Sequence, residues 1–300
     1  MTKIGYLGLG VMGYGMTDNL MKKGKISVWG YDPVEVARER FAANGGKVVE
    51  GTWEIYETCD IIFQCLPTDE IVEKTIREIS AAAKPGTIIV DMGATSPNLI
   101  RTLNPVVEEH GLYLLDAPVS GGETGALSGT LAIMVGGRKD VFDRIEPWLQ
   151  MMGKTVTYMG LSGCGSIAKV ANNMMVGAHL CSMTEAYAFA VKAGLDPGML
   201  FQAIRGGFAQ SAVMDLKIPK ILERDFSASA RIAVHLKDMN HAVELAEHLG
   251  VEIPLSATVK KQMEWMLDQG LINEDQCALV KYYEDTMGVL VQHNQKGEST

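Results

Sequence analysis

The first 32 residues limit the fold more than any other stretch. Lys3 to Gly8 reads as a short buried strand, and Gly8-Leu9-Gly10-Val11-Met12-Gly13 follows it. An amphipathic helical stretch with Met16, Leu20 and Met21 on one face runs on to Lys23, where Gly24 stops it. Ile26, Val28 and Trp29 begin a second strand that ends at Tyr31-Asp32. Strand, GxGxxG, helix, strand and then an acid about 20 residues past the glycines is the pattern of a dinucleotide-binding βαβ unit. Gly8 allows the tight turn, Gly10 lets backbone approach a pyrophosphate, and Gly13 lets helix and strand pack closely. The helix N-terminus attracts the phosphates. Asp32 can accept hydrogen bonds from an adenosine ribose diol and repels a 2′-phosphate, so the predicted cofactor is NAD, held by Gly8, Leu9, Gly10, Val11, Met12, Gly13 and Asp32.

The alternation continues. Helical stretches are expected over 34–44, 53–58, 70–83 and 98–110, and strands over 60–66, 87–91 and 113–116. Strands alternating with helices at this spacing predict an α/β, doubly wound, mostly parallel sheet. Leu66-Pro67 lies at the carboxyl end of one strand, where such sheets place ligands. From Asp116-Ala-Pro-Val-Ser-Gly-Gly122 the rhythm breaks. A serine beside two glycines is a turn, and it is also a good cradle for a carboxylate, with a hydroxyl and exposed backbone N–H groups. An apolar strand over 132–135, a helix over 139–151 and a last strand over 155–159 close this half.

Gly163-Cys164-Gly165-Ser166 reads as a turn and N-cap for a long apolar helix. Lys169 and Asn173 share one face of it, and Gly177 continues that face without bulk. Two readings fit: the wall of a site, or a surface lysine beside a capping amide. Beyond Gly165 no strand is expected. Helices are predicted over roughly 166–193, 197–205, 211–222, 234–249, 255–269 and 275–288, with 291–300 as a frayed polar tail. The expected domains are 1–162 and an all-α domain 163–300, joined by the helix 163–192. Lys237-Asp238, inside a helix, reads from its spacing alone as a solvated face.

Composition narrows the class. A net charge of −9 excludes a general nucleic-acid binder, because phosphate contacts need clustered Lys and Arg. No apolar run reaches the ~18–20 residues of a membrane span, and a strand at residue 3 leaves no secretory presequence. The five cysteines are scattered without a CxxC pair, which predicts reduced thiols, no metal site and a cytoplasmic protein. Cys164 reads as a small packing residue.

Taken together, these motifs resemble the β-hydroxyacid dehydrogenase family, which includes 3-hydroxyisobutyrate dehydrogenase and tartronate semialdehyde reductase. The likeness runs along nearly the whole chain. It rests on Gly8–Gly13 with Met16, Asp116–Gly122, Gly125-Ala126 with Gly129-Thr130-Leu131, Gly163-x-Gly165 with Lys169 and Asn172-Asn173, and Lys237-Asp238. The resemblance implies a Rossmann domain, a helical second domain that often packs on another subunit, and hydride transfer between NAD and a small β-hydroxy acid or semialdehyde. It makes Lys169 the catalytic lysine, assigns Ser120, Gly121 and Gly122 to the substrate carboxylate and Asn173 to substrate positioning. It also puts Lys237, supported by Asp238, near the nicotinamide, and implies a homodimer or homotetramer. Two positions depart from the family. Ala94 stands where Ser or Thr is usual, which leaves Thr95 or Ser96 to supply the hydroxyl. Ala230 stands where Phe is frequent, which opens space for a bulkier or sulfonated semialdehyde. A non-catalytic NAD-binding interaction module is the contrary reading, and intact Lys169, Asn173 and Ser120 speak against it.

Overall fold

The computed structural model describes residues 2–293. The chain divides after Lys169 into two compact units, whose described parts are 2–169 and 170–293. In the first, β1 (Ile4–Leu7), α1 (Val11–Gly24), β2 (Val28–Tyr31), α2 (Glu35–Ala43), β3 (Lys47–Val48), α3 (Thr52–Thr58), β4 (Ile61–Gln64), α4 (Asp69–Ala82), β5 (Ile88–Asp91), α5 (Pro97–Glu109) and β6 (Tyr113–Asp116) alternate. Next come β7 (Val119–Ser120), α6 (Gly122–Ser128), β8 (Leu131–Gly136), α7 (Lys139–Met152) and β9 (Gly153–Gly160). The sheet order is β3-β2-β1-β4-β5-β6-β8-β7, with β9 on β8. Every pair from β3 to β6 is parallel, as is β8–β9, while β6–β8 and β7–β8 are antiparallel. This is the doubly wound, mostly parallel sheet that the alternation predicts.

Period-two alternation explains the two covered faces. Ile4, Tyr6, Ile61, Phe63, Ile88 and Val90 pack on one face with Met16 and Leu20 of α1 and with Val141, Phe142, Ile145 and Leu149 of α7. Leu7, Ile62, Ile89 and Leu114 pack on the other with α3, α4 and α5 through Ile55, Ile76, Ile79, Ile100 and Leu103.

The long helix α8 (Cys164–Lys192) belongs to the first unit up to Lys169 and to the second beyond it. The second unit continues with α9 (Pro197–Ile204), α10 (Ala212–Leu222), α11 (Ile232–Leu249), α12 (Pro254–Asp268), a 3-10 turn (Gln276–Leu279) and α13 (Val280–Met287). Its core joins Leu180 and Tyr187 of α8 to Ile218, Met239, Val259, Met263, Met266 and Val280. No strand occurs among its described residues; a lone bridge links Arg231 and Asp275.

The structure corrects the expected tail. Val291 is fully buried, its N–H donates to Glu284 Oε1 at 2.8 Å, and the His293 N–H donates to the Leu222 carbonyl at 3.1 Å. Residues 294–300 lie outside the described residues. Helix α6 is an element that reading the sequence missed. Among the described residues no helix is long and apolar enough to cross a membrane, and no cluster of His, Cys, Asp or Glu could hold a metal ion.

Candidate active site

At the carboxyl ends of β1 and β2 the glycine loop is built as its spacing requires. Gly8 has φ +89°, and a Cβ there would overlap the Cys65 carbonyl oxygen. A Cβ on Gly13 would overlap the Gly8 carbonyl oxygen, so α1 can approach β1 this closely only without a side chain. A Cβ on Gly10 would meet nothing, so that face of the loop is open. Helix α1 starts at Val11 with no side-chain cap, leaving its first N–H groups to a ligand. An open loop ahead of an uncapped helix suits a pyrophosphate, so these residues fit a dinucleotide.

Asp32 is a strut of this loop as well as a candidate ribose acceptor. It is buried, its Oδ2 accepts from the Leu9 N–H at 2.8 Å, and its Oδ1 accepts from the Val34 N–H at 2.8 Å. Arg40, which the sequence reading missed, donates to the Leu9 and Gly10 carbonyls at 3.1 and 3.3 Å. Its guanidinium lies 4.0 Å from the Tyr14 ring centroid. No local period marks a contact across 31 residues, so no motif could have found it. Leu66 is half-buried and Pro67 exposed in the turn after β4. Thr95 is buried at 3% exposure, with Ala94 half-buried beside it, so Thr95 has little surface to offer a ligand.

The arm that follows β6 carries the predicted carboxylate cradle. Ser120 is half-buried and pairs with Ala132 of β8. Gly121 and Gly122 are exposed, at φ +137° and +61°, values that glycine alone adopts without strain. At the base of the arm, Asp116 is fully buried. Its Oδ1 accepts from the Gly163 N–H at 2.9 Å and its Oδ2 from the Ser166 N–H at 2.7 Å. Burial pushes its carboxyl up to about 6, and the two amides pull the other way. Lys169 follows on the second turn of α8 and is half-buried.

In the helical unit, Asn173 is buried and hydrogen-bonded at its amide nitrogen, amide oxygen and backbone carbonyl, with a second amide N–H still to donate. Its Nδ2 donates to Asp238 Oδ2 at 2.6 Å, its Oδ1 accepts from Asn172 Nδ2 at 2.8 Å, and its carbonyl lies 2.9 Å from His235 Nε2. Lys237 Nζ lies 3.7 Å from Asp238 Oδ1. Asp238 therefore faces both an amide and an ammonium, which a solvated helix face would not show. Gly177 is not an opening in a site wall. A Cβ there would sit 2.9 Å from Val259 Cγ1 and 3.3 Å from His235 Nε2, so its missing bulk is filled by α11 and α12.

Comparison with known proteins covers both units. The family profile described as the NAD binding domain of 6-phosphogluconate dehydrogenase matches residues 3–160. A second, described as NAD-binding of NADP-dependent 3-hydroxyisobutyrate dehydrogenase, matches residues 163–283. The chain is 36% identical over 297 residues to a 2-(hydroxymethyl)glutarate dehydrogenase of Eubacterium barkeri, covering 98% of each. It is 37% identical over 286 residues to a 2-hydroxy-3-oxopropionate reductase of Escherichia coli strain K12, covering 94% of this chain and 97% of the relative. The solved Mycobacterium tuberculosis 3-hydroxyisobutyrate dehydrogenase with L-serine superposes with a TM-score of 0.85 at 32% identity, covering 94% of this chain and 98% of that one.

Proposed function

Because the chain belongs to the β-hydroxyacid dehydrogenase family and is an oxidoreductase with a nicotinamide cofactor, we propose that it acts on a small β-hydroxy acid or the matching semialdehyde, with NAD preferred over NADP. The preference rests on Asp32, a buried carboxylate at the end of β2. The observation that supports the reading is Lys169, half-buried one turn after Ser166, whose N–H donates to Asp116 at the start of α8. When bound, the nicotinamide supplies the hydride in reduction and takes it in oxidation.

The chain's own groups do the rest. In reduction Lys169 gives a proton to the carbonyl oxygen as negative charge grows there, and in oxidation it withdraws the alcohol proton. In reduction the ammonium both supplies the proton and stabilises the forming alkoxide, and in oxidation the neutral amine takes the alcohol proton. The Ser120 hydroxyl and the Gly121-Gly122 backbone hold the substrate carboxylate. Asn173, itself held by Asp238, orients the hydroxyl, and Lys237 serves the nicotinamide end. Fixing the carboxylate and the oxygen together limits where the reacting carbon can lie, and such positioning is a large part of catalysis.

We also assign a homo-oligomer, supported by large exposed apolar side chains on the helical unit such as Met175, Phe189, Met199 and Leu216. A cytoplasmic setting is supported by five cysteines scattered along the chain without a CxxC pair. Sedimentation velocity tests the first, and a monomer at micromolar concentration overturns it.

The function is tested by nicotinamide absorbance with semialdehydes plus NADH or NADPH, and with β-hydroxy acids plus NAD or NADP. The panel reaches to dicarboxylic members because Ala230 is small. One small acid should turn over with NAD preferred, and Lys169→Ala should lower kcat by about 10²–10⁴-fold. Near-normal turnover in Lys169→Ala sinks the mechanism.

A further inference from the structure

Asp116 touches neither substrate nor cofactor in the chemistry above, yet the N-terminal unit is built tightly around it. Its two carboxylate oxygens are divided between the N–H groups of Gly163 and Ser166, which lie 47 and 50 residues further along the chain. Two glycines make room for the crossing. A Cβ on Gly136, at the end of β8, would sit 2.5 Å from Asp116 Oδ1 and 2.7 Å from the Gly165 nitrogen. A Cβ on Gly165 would overlap the carbonyl oxygens of Asp116 and Met134. The ends of β6 and β8 and the start of α8 therefore meet backbone to backbone around one carboxylate.

Two parts of the proposed machinery start from this point. The segment from Asp116 runs directly into Ser120, Gly121 and Gly122, and Met134 N–H donates to the Pro118 carbonyl at 3.1 Å to hold the arm on β8. Ser166 lies one helical turn before Lys169. We infer that Asp116 is a positioning residue: by clamping the first turn of α8 to the base of the Ser120–Gly122 arm, its carboxylate sets where Lys169 stands relative to the groups that hold the substrate. This rests on the hydride-transfer reading above.

A carboxylate is the fitting group. Two N–H donors need two acceptors in a fork, which an amide side chain of the same shape lacks. A negative charge at the N-terminus of a 29-residue helix also meets the positive end of the helix dipole. An apolar contact would hold the helix at lower desolvation cost but would not set its distance and rotation.

The test compares wild type, Asp116→Asn and Gly165→Ala. The first variant removes one acceptor without changing shape. The second displaces the start of α8 and leaves the carboxylate intact. Each is assayed for kcat, KM, NADH dissociation constant and the primary isotope effect with NADH deuterated at the transferred position. Hydrogen exchange is followed over peptides covering the N-terminal unit, including those spanning 160–172. Both variants should lower kcat by about 10–100-fold, the loss expected of a misplaced catalytic group. NADH binding should hold, the isotope effect should rise as chemistry becomes slower, and exchange should quicken only at the start of α8. Unchanged kcat and isotope effect overturn the inference. A fall in kcat with an unchanged isotope effect and faster exchange throughout the unit also overturns it, since that is loss of folded protein. If wild type turns over no substrate, the proposed function fails on its own, and the exchange data still decide whether Asp116 clamps α8.

Discussion

At the scale of single residues, the site is held by side chains whose partners lie far away in the chain. Asp32 supports the glycine loop, since both oxygens accept backbone N–H groups, in addition to the cofactor role proposed for it. Asp32→Asn removes one acceptor and the charge that repels a 2′-phosphate. It should weaken NADH binding by about tenfold, the worth of one charge-assisted hydrogen bond of ~1.5 kcal/mol, and weaken NADPH binding less. Fluorescence titration of both cofactors checks this, and equal losses would mean that Asp32 acts only as a strut. Tyr187 is the opposite case. It is fully buried in the helical core and its hydroxyl has no hydrogen-bond partner among the described residues. Tyr187→Phe should leave stability unchanged or raise it by up to about 1 kcal/mol, because an unsatisfied polar group is removed. A urea midpoint that falls would show that the hydroxyl has a partner, such as a buried water.

Elements depend on one another in ways that local propensity does not set. Helix α6 has seven residues, two of them glycine, and by propensity alone would not form. It forms because α1 grips it. Asn19 Nδ2 donates to the Ala126 and Leu127 carbonyls at 2.9 and 3.1 Å, and a Cβ on Gly15 would lie 2.7 Å from the Ala126 carbonyl carbon. No local signal marks that grip, so the sequence predicts no element over 122–128. Helices α8, α11 and α12 meet in the same fashion at Gly177. Gly177→Ala adds a methyl 2.9 Å from Val259 Cγ1, and such overpacking should cost about 1–3 kcal/mol in urea unfolding. If stability does not fall, the Val259 side chain has simply turned aside.

For the whole molecule, two buried carboxylates, one in each unit, contribute to the pH dependence of stability with opposite sign. Burial raises Asp116 to about 6 in the folded chain, above its ordinary 3.8. The folded form then binds the proton more tightly, so stability declines as pH rises from below 4 to above 6. Asp275 is fully buried and works the other way. Burial alone would raise it, but the Lys217 ammonium at 2.7 Å, the Cys277 N–H and Ser229 together hold it well below the usual carboxylate range. Its contribution is complete above about pH 4 and is lost as pH falls through the folded value. Thermal melts from pH 3 to 8 should show the decline between 4 and 6 flattened in Asp116→Asn and left intact in Lys217→Met. The latter leaves a buried charge without its cation and should lose about 3 kcal/mol at neutral pH. A slope that persists in Asp116→Asn assigns it to another group.

Much of this was legible in the chain alone. The βαβ start, the two-sided sheet and the helical second half are written in short-range spacing, whereas the roles expected of Lys169, Ser120 and Lys237 came from the family resemblance. Strands and helices bury faces with periods of 2 and 3.6, and a tight turn or close crossing demands glycine whatever surrounds it. What Asp116, Asp238 and Gly177 do was decided only by the tertiary structure. Asp116 meets its donors 47 and 50 residues away and Asp238 meets Asn173 across 65, separations that leave no period to read. The anchoring of Val291 by Glu284 was invisible for a related reason. A polar-looking end signals fraying unless one apolar side chain finds a space, and only the packed helices create that space.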